Sequence, residues 1–92
     1  MARKVKIKLE TTAGAIDRFR VTVGNDVVIT ADGTQTPVWR DQVPDAHVVA
    51  KFQAVGMAGA SYKLTIDLEN VMTGQSLELS LVDGYSELQL VF

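Results

Sequence analysis

The stretch Tyr62-Lys63-Leu64-Thr65-Ile66-Asp67-Leu68 decides the fold class of this chain, because apolar and polar residues alternate along it without a break. Successive side chains of a β-strand point to opposite faces, so a period of two gives a strand with one buried and one wet face. The same alternation runs through residues 5–9 and again through residues 77–92. The pattern therefore indicates strands over most of the chain.

Composition is typical of one globular domain covering residues 1–92. Of the 92 residues, 47% are apolar and 22% are charged, and none is cysteine, so the core depends on packing alone. We see no internal repeat in the sequence. No segment approaches the roughly 20 apolar residues of a membrane span, and no apolar stretch follows the basic N-terminus, so we expect a cytoplasmic chain.

The turn signals divide the chain into seven to eight short strands. This spacing predicts an all-β fold, a two-sheet antiparallel sandwich of immunoglobulin-like or similar Greek-key topology. The strands predicted outside the ambiguous middle are 3–10, 16–23, 27–31, 62–69, 77–82 and 85–91, with turns that include 11–15 and 70–75. Residues 34–40 are expected to pair back on 27–31. Pro37 lacks an amide donor and places that segment at a sheet edge.

Residues 45–55 fit two patterns. As a strand, this region turns Val48, Ala50, Phe52 and Ala54 inward. As one short helix, it begins at an N-cap Asp45 and ends at Gly56. The paired valines and the all-β surroundings favour the strand.

Asp83-Gly84 predicts a two-residue hairpin turn. The turn places Val82 opposite Tyr85, and from there Leu79 opposite Leu88 and Leu77 opposite Leu90. All four leucines then share one face, as a half-buried hairpin requires.

Charge is distributed unevenly although the net charge is only −2. Residues 1–20 hold six cations and two acids, whereas nine of the eleven acids lie beyond them. The row Lys4, Lys6 and Lys8 either protects an edge strand or forms a basic face for an acidic protein partner. Arg18 and Arg20 extend this face if the first two strands pair. Nucleic acid is disfavoured, because no aromatic residues interleave with the cations.

Trp39 is the only tryptophan and is followed by Arg40. It either closes one end of the core or, with Arg40, forms a recognition site that stacks on a sugar ring or anchors a partner.

Catalytic chemistry has little support in the sequence. His47 is the only histidine, and without cysteine the chain offers no clustered nucleophile, base or metal ligands, so we expect no enzyme activity, metal or cofactor. The aspartates near turns (Asp26, Asp32, Asp41, Asp45 and Asp83) favour turn chemistry over a calcium site. The sequence thus predicts a non-catalytic interaction or assembly module that binds a protein partner or itself. The alternative is a small carbohydrate-binding module that uses Trp39.

Overall fold

The structure, a computed structural model, describes residues 3–43, 48–69 and 72–91, without the side chains of Met72 and Thr73. These residues form eight strands in two four-stranded antiparallel sheets, so the predicted all-β sandwich is confirmed. The strands are β1 Arg3–Ala13, β2 Ile16–Val23, β3 Asp26–Ala31, β4 Val38–Val43, β5 Val49–Gly56, β6 Ser61–Leu68, β7 Met72–Ser80 and β8 Tyr85–Val91.

The two sheets have the strand orders β4-β1-β6-β7 and β3-β2-β5-β8. Strands β1 and β6 are central in the first sheet, and β2 and β5 are central in the second. The edges are therefore β4 and β7 in one sheet and β3 and β8 in the other. This order differs from that of immunoglobulin domains, in which the first two strands are neighbours.

The core lies between the four central strands. Their inward residues alternate with exposed polar ones, and Ile7, Phe19, Phe52 and Leu64 are almost completely buried. The rings of Phe19 and Tyr62 meet edge to face across the sandwich, with centroids 5.3 Å apart. Such a contact stabilises the fold by about 1 kcal/mol beyond the contribution of the surface that the two rings bury.

The pairing expected for residues 34–40 is wrong, and the pairing of the first two strands that would bring Arg18 and Arg20 to the lysine row does not occur. Strands β1 and β2 do not pair, because the chain crosses from one sheet to the other at Gly14, which has a φ of 71°. Residues 34–40 do not pair back on the third strand, since β4 joins the opposite sheet and pairs with β1. The edge position that Pro37 indicates is confirmed, because β4 has β1 as its only neighbour.

The Asp83-Gly84 turn is confirmed, but the hairpin predicted beyond it is wrong. Val82 and Tyr85 exchange two backbone hydrogen bonds of 3.0 and 3.1 Å, as expected. Before Val82, however, the chain belongs to the other sheet. Leu79 lies opposite Tyr62 of β6, and Leu88 lies opposite Phe52 of β5. Each half of the expected hairpin thus pairs with a different strand: β7 pairs with β6, which precedes it in the chain, and β8 pairs with the more distant β5.

The structure decides between the two interpretations of residues 45–55 and changes the start of the strand after β6. Residues 49–56 form strand β5, with Ala50, Phe52 and Ala54 buried, so the strand interpretation of this region is confirmed. His47 and Asp45 lie outside the described residues. Of the turn predicted at 70–75, residues 72–75 belong to strand β7, and residues 70 and 71 lie outside the described residues.

The fold contains a topological repeat that we did not detect in the sequence. Strands β1–β4 and β5–β8 have equivalent connections, and each half contributes two strands to each sheet. A shift of 45 residues carries Ile7 to Phe52 and Val21 to Ile66, and these residues form the pairs Ile7–Ile66 and Val21–Phe52. The same shift carries the tripeptide at 13–15 to its identical copy at 58–60.

Both copies of this Ala-Gly-Ala tripeptide lie where the chain changes sheets. Gly14 and Gly59 have φ values of 71° and 83°, in the left-handed region that favours glycine. The two crossovers also touch, since a Cβ on Gly14 would lie 2.9 Å from Ala60. The two halves therefore share the backbone conformation of their crossovers and the register of their central strands.

The first prediction concerns the packing of β7. Leu64 is fully buried, whereas its ladder partner Leu77 is 44% exposed. We expect Leu64→Ala to lower the free energy of unfolding by about 3 kcal/mol and Leu77→Ala by less than about 1 kcal/mol, because only the first leaves a closed cavity. Urea denaturation of both variants measures the difference. Equal losses would show that the β7 side of the core is closed.

Candidate functional site

The lysine row of β1 lies on the outer face of the first sheet, because its residues alternate with the buried Val5, Ile7 and Leu9. Strand β1 is central, with β4 on one side and β6 on the other. The interpretation of these lysines as protection of an edge strand is therefore wrong. They form part of a continuous surface of three strands.

The ladder brings Arg40 to this surface. Arg40 lies opposite Lys6, and Val38 lies opposite Lys8. On the other side of β1, Lys6 lies opposite Asp67 of β6. Four of the cations that the sequence analysis selected therefore share one face, which we call the basic face: Lys4, Lys6, Lys8 and Arg40.

A concavity of about 580 Å³ crosses the basic face. Side chains on β4, β1 and β6 border it in two rows, and the residues between the rows, Val5, Asp41 and Leu68, also line it. One row is Gln42, Lys4 and Glu69, and the other is Arg40, Lys6 and Asp67. A backbone hydrogen bond of 2.9 Å from Glu69 to the Lys4 carbonyl extends the ladder to the first row. Cations thus border the concavity on β1 and β4, and carboxylates border it at Asp41 of β4, at Asp67 of β6 and at Glu69 just after β6.

The carboxylates of Asp67 and Glu69 each accept a hydrogen bond from a backbone amide. Asp67 accepts a hydrogen bond from the Gly74 amide, and Glu69 accepts one of 3.0 Å from the Lys4 amide. Lys6, Lys8 and Arg40, in contrast, form no side-chain hydrogen bond or salt bridge with the residues that the structure describes. Their charges are available to a ligand.

Arg18 and Arg20 are not part of the basic face. They lie on the outer face of the second sheet, since β2 pairs with β3 and β5 there. Arg20 lies opposite Gln53, which in turn lies opposite Glu87 of β8. The structure therefore places the seven predicted binding residues on three different parts of the surface, with Trp39 as the third.

Trp39 lies at the open side of the sandwich between β3 and β4. It is half-buried, packs against the core and lines a pocket of about 450 Å³. Val28, Val43 and Val48 give this pocket an apolar wall, and polar residues complete it: Asn25, Asp26, Asp41 and Gln42. Trp39 thus fits both interpretations, because it extends the core and also keeps part of its surface open to a ligand.

Aspartate acts as a turn residue at Asp32. Its carboxylate accepts a hydrogen bond of 2.8 Å from the Thr34 amide and another from the Thr34 hydroxyl. These bonds lower the pKa of Asp32, the hydroxyl bond contributing most. Within the described ranges, no group of three or more histidine or acidic side chains is arranged to hold a metal ion. The same part of the chain contains no helix long and apolar enough to cross a membrane.

The sequence analysis missed a partly open apolar seam between the two edge strands β7 and β8. Inward-facing leucines of both strands keep part of their surface accessible, and they are Leu77, Leu79, Leu88 and Leu90. The predicted hairpin placed these same leucines on one buried face. The apolar pattern of these leucines was therefore visible in the sequence, but the two strands that hold them were predicted to pair with each other.

Next to this seam lies a buried hydroxyl, that of Tyr62. The side chain is 1% exposed, and its hydroxyl has no hydrogen-bond partner of good geometry among the described residues. Burial raises the pKa of Tyr62, and the Ser86 hydroxyl on β8 lowers it by a smaller amount. The hydroxyl is therefore neutral in the folded protein at physiological pH.

Comparison with models of known families, with curated proteins and with solved structures finds no match to this chain.

The second prediction concerns Tyr62. Folding raises the pKa of Tyr62, so the neutral hydroxyl favours the folded state. This contribution to the free energy of unfolding is fully present below the pKa of the unfolded chain, about 10, and is lost as the pH rises through the pKa of the folded protein. We expect Tyr62→Phe to keep or increase stability at pH 7, because it removes a polar group without a good partner. We also expect it to reduce the loss of stability above about pH 10.

Thermal melts from pH 7 to pH 11 measure both effects of Tyr62→Phe. The exposed Tyr85, whose hydroxyl donates a bond of 2.7 Å to Glu87, provides the comparison variant Tyr85→Phe at pH 7. Above about pH 10 it is not a neutral control, because the bond to Glu87 raises the pKa of Tyr85 as well. A large loss of stability in Tyr62→Phe at pH 7 would mean that the buried hydroxyl has a strong partner.

Proposed function

We propose that this protein is a non-catalytic interaction or assembly module that acts through its basic face and its exposed strand edges. The observation that carries the proposal is the ladder register of β1 and β4, which brings Arg40 beside Lys6, where neither side chain forms a hydrogen bond or salt bridge with the described residues. A cluster of like charges on a flat sheet face destabilises the free protein slightly. An oppositely charged ligand removes that cost.

The ligand that best fits the basic face is an acidic segment of another protein. The concavity is open and shallow, and it crosses three strands, which suits an extended chain better than a compact small molecule. Asp67 and Glu69 repel an acidic partner on the β6 side and Asp41 repels it on β4, so its favourable contacts are with Lys4, Lys6 and Arg40. Charged surfaces of this kind raise the association rate and make it dependent on salt.

Nucleic acid fits the basic face less well. Asp67 and Glu69 border the same concavity and repel phosphates. The face also lacks aromatic side chains among its described residues, and stacking on aromatic rings is what holds single strands. The acidic sequence pI of about 5.2 weakens long-range attraction further.

The third prediction tests the basic face with poly-L-glutamate as the probe. We expect the triple variant Lys4→Glu, Lys6→Glu, Lys8→Glu to lower the affinity at least about tenfold at low salt, because it reverses three cations of one face. The matched control is Arg18→Glu, Arg20→Glu, Lys51→Glu on the other sheet, which gives the same net charge. Binding is measured by biolayer interferometry at two salt concentrations.

Two results would contradict the basic-face proposal. One is equal weakening by the control, which would mean that only net charge matters. The other is binding of the wild-type protein that does not change with salt. Tighter binding to single-stranded DNA than to poly-L-glutamate would favour nucleic acid over an acidic protein.

A carbohydrate site at Trp39 is the second candidate function. The observation that favours it is the side pocket, where an accessible indole lies beside carboxylate and carboxamide groups. Sugars bind by stacking on aromatic rings and by hydrogen bonds to such polar groups.

The fourth prediction tests this second function by tryptophan fluorescence, since Trp39 is the only tryptophan. A carbohydrate-binding module should show saturable emission changes with a neutral oligosaccharide, and Trp39→Ala should abolish binding measured by calorimetry. Arg40→Ala, on the opposite face of β4, is the control and should leave sugar binding intact. A neutral glycan screen without any response, together with unquenchable emission, would exclude this function.

A further inference from the structure

The outer edge of β8 offers unpaired backbone groups. Tyr85 exchanges hydrogen bonds with Val82 on this side, and Gly84 accepts a bond of 2.9 Å from Gly56 on the β5 side. Backbone groups of an antiparallel strand point to its two neighbours alternately. The N–H and C=O groups of Glu87, Gln89 and Val91 therefore point to the outer edge, where the described residues provide no partner strand.

The other three edges carry features that discourage pairing. Strand β4 follows Pro37 and presents Arg40 and Asp41, while β3 is short and pairs with β2 through a register shift. Strand β7 contains Gly74 at a φ of 59° and also has an irregular register. Short length, charge, proline and bulges are the means by which proteins protect sheet edges. Strand β8 has a regular register with β5, no glycine or proline, and one charged residue.

We propose that the outer edge of β8 pairs antiparallel with the same edge of a second copy of this chain, so that the two β3-β2-β5-β8 sheets become one eight-stranded sheet. The inference rests on the proposed assembly function and names its partner, but it uses a surface separate from the basic face. Paired with its own reversed copy, β8 brings leucine against leucine and keeps its single carboxylate away from that of the other copy, which is the reason to assign a second copy rather than another protein.

The free backbone groups select one register, centred on Gln89. In this register Glu87 lies opposite Val91 of the second copy, Gln89 lies opposite its own copy, and about six hydrogen bonds form. Every free group is used. A register centred on Leu88 would bring Val91 of the second copy against Tyr85, whose outer groups already bind Val82. A register centred on Glu87 would place two carboxylates opposite each other.

The selected register also extends the apolar seam. Leu88 of one copy lies opposite Leu90 of the other on the inner face, in two equivalent pairs. Both leucines are only partly buried in the single chain. On the outer face, Val91 is 61% exposed and gains cover from the aliphatic part of Glu87. Pairing therefore buries apolar surface as well as satisfying the backbone.

The fifth prediction uses two charge variants on this edge. Gln89→Glu places two carboxylates opposite each other in the dimer, whereas in the single chain the new carboxylate faces Lys51, so the fold is kept. We expect it to weaken the dimer by up to about fivefold. Val91→Lys places a lysine opposite Glu87 of the second copy, twice per dimer, and we expect up to about thirtyfold tighter association.

Sedimentation equilibrium of the full chain measures the dimer constants, and circular dichroism checks the fold of each variant. Thr30→Glu and Thr30→Lys are the matched controls, because Thr30 is exposed on the opposite edge strand of the same sheet and the net charges are equal. We expect these controls to leave the wild-type constant unchanged.

Three outcomes would overturn the inference: a monomeric wild-type protein at all concentrations, a dimer constant that Gln89→Glu leaves unchanged, or equal effects at Thr30. The proposed function fails separately, on poly-L-glutamate binding, which Gln89→Glu should not change. A dimer that responds as expected without poly-L-glutamate binding would retain the edge and remove the basic face.

Discussion

Ladder register between the central strands is the constraint on which the rest of this structure depends. Ile7 opposite Ile66, and Val21 opposite Phe52, fix which face of each sheet is buried. A shift of one residue on β1 in the first ladder would turn its lysines inward and its apolar residues outward, and a shift in the second ladder would do the same to the residues of β2 or β5. These two pairs fix the direction of the side chains and backbone groups along their ladders. The basic face, the apolar seam and the free edge of β8 follow from them, because each lies at a fixed position relative to these pairs.

The fold class was predictable because alternation is a local signal. Val5, Ile7 and Leu9 show their burial within a few residues, and Asp83-Gly84 shows its turn in the same way. Strand partners were not predictable, because a strand can pair with the strand before it, the strand after it or a more distant one: β7 pairs with β6 before it, and β8 pairs with β5. Residues 77–82 and 85–91 satisfied a local hairpin pattern, yet the chain changes sheets at Leu81, which is buried between them. A crossover of this kind leaves no periodic signal.

The candidate site shows the same division. The lysine row was recognisable from spacing alone, and its outward direction follows from the alternation. Only the strand order shows that Arg40 joins the lysine row and that Arg18 and Arg20 do not. The apolar seam was hidden for a related reason. Its leucines resemble core residues in sequence, and only their positions on two edge strands leave them accessible. Sequence therefore identified the chemistry of the surface, and topology decided which groups act together.

The equivalence of the two halves has a consequence for the origin of the protein. Each half supplies two strands to each sheet, and the crossover tripeptide is identical in both. An ancestral chain of half this length, assembled as a symmetric pair of protomers, would satisfy the same eight-stranded arrangement. Duplication and fusion of its gene would join the protomers covalently and allow the two halves to diverge. The lysines of β1, which β5 retains only at Lys51, are then a specialisation that a symmetric ancestor could not confine to one sheet.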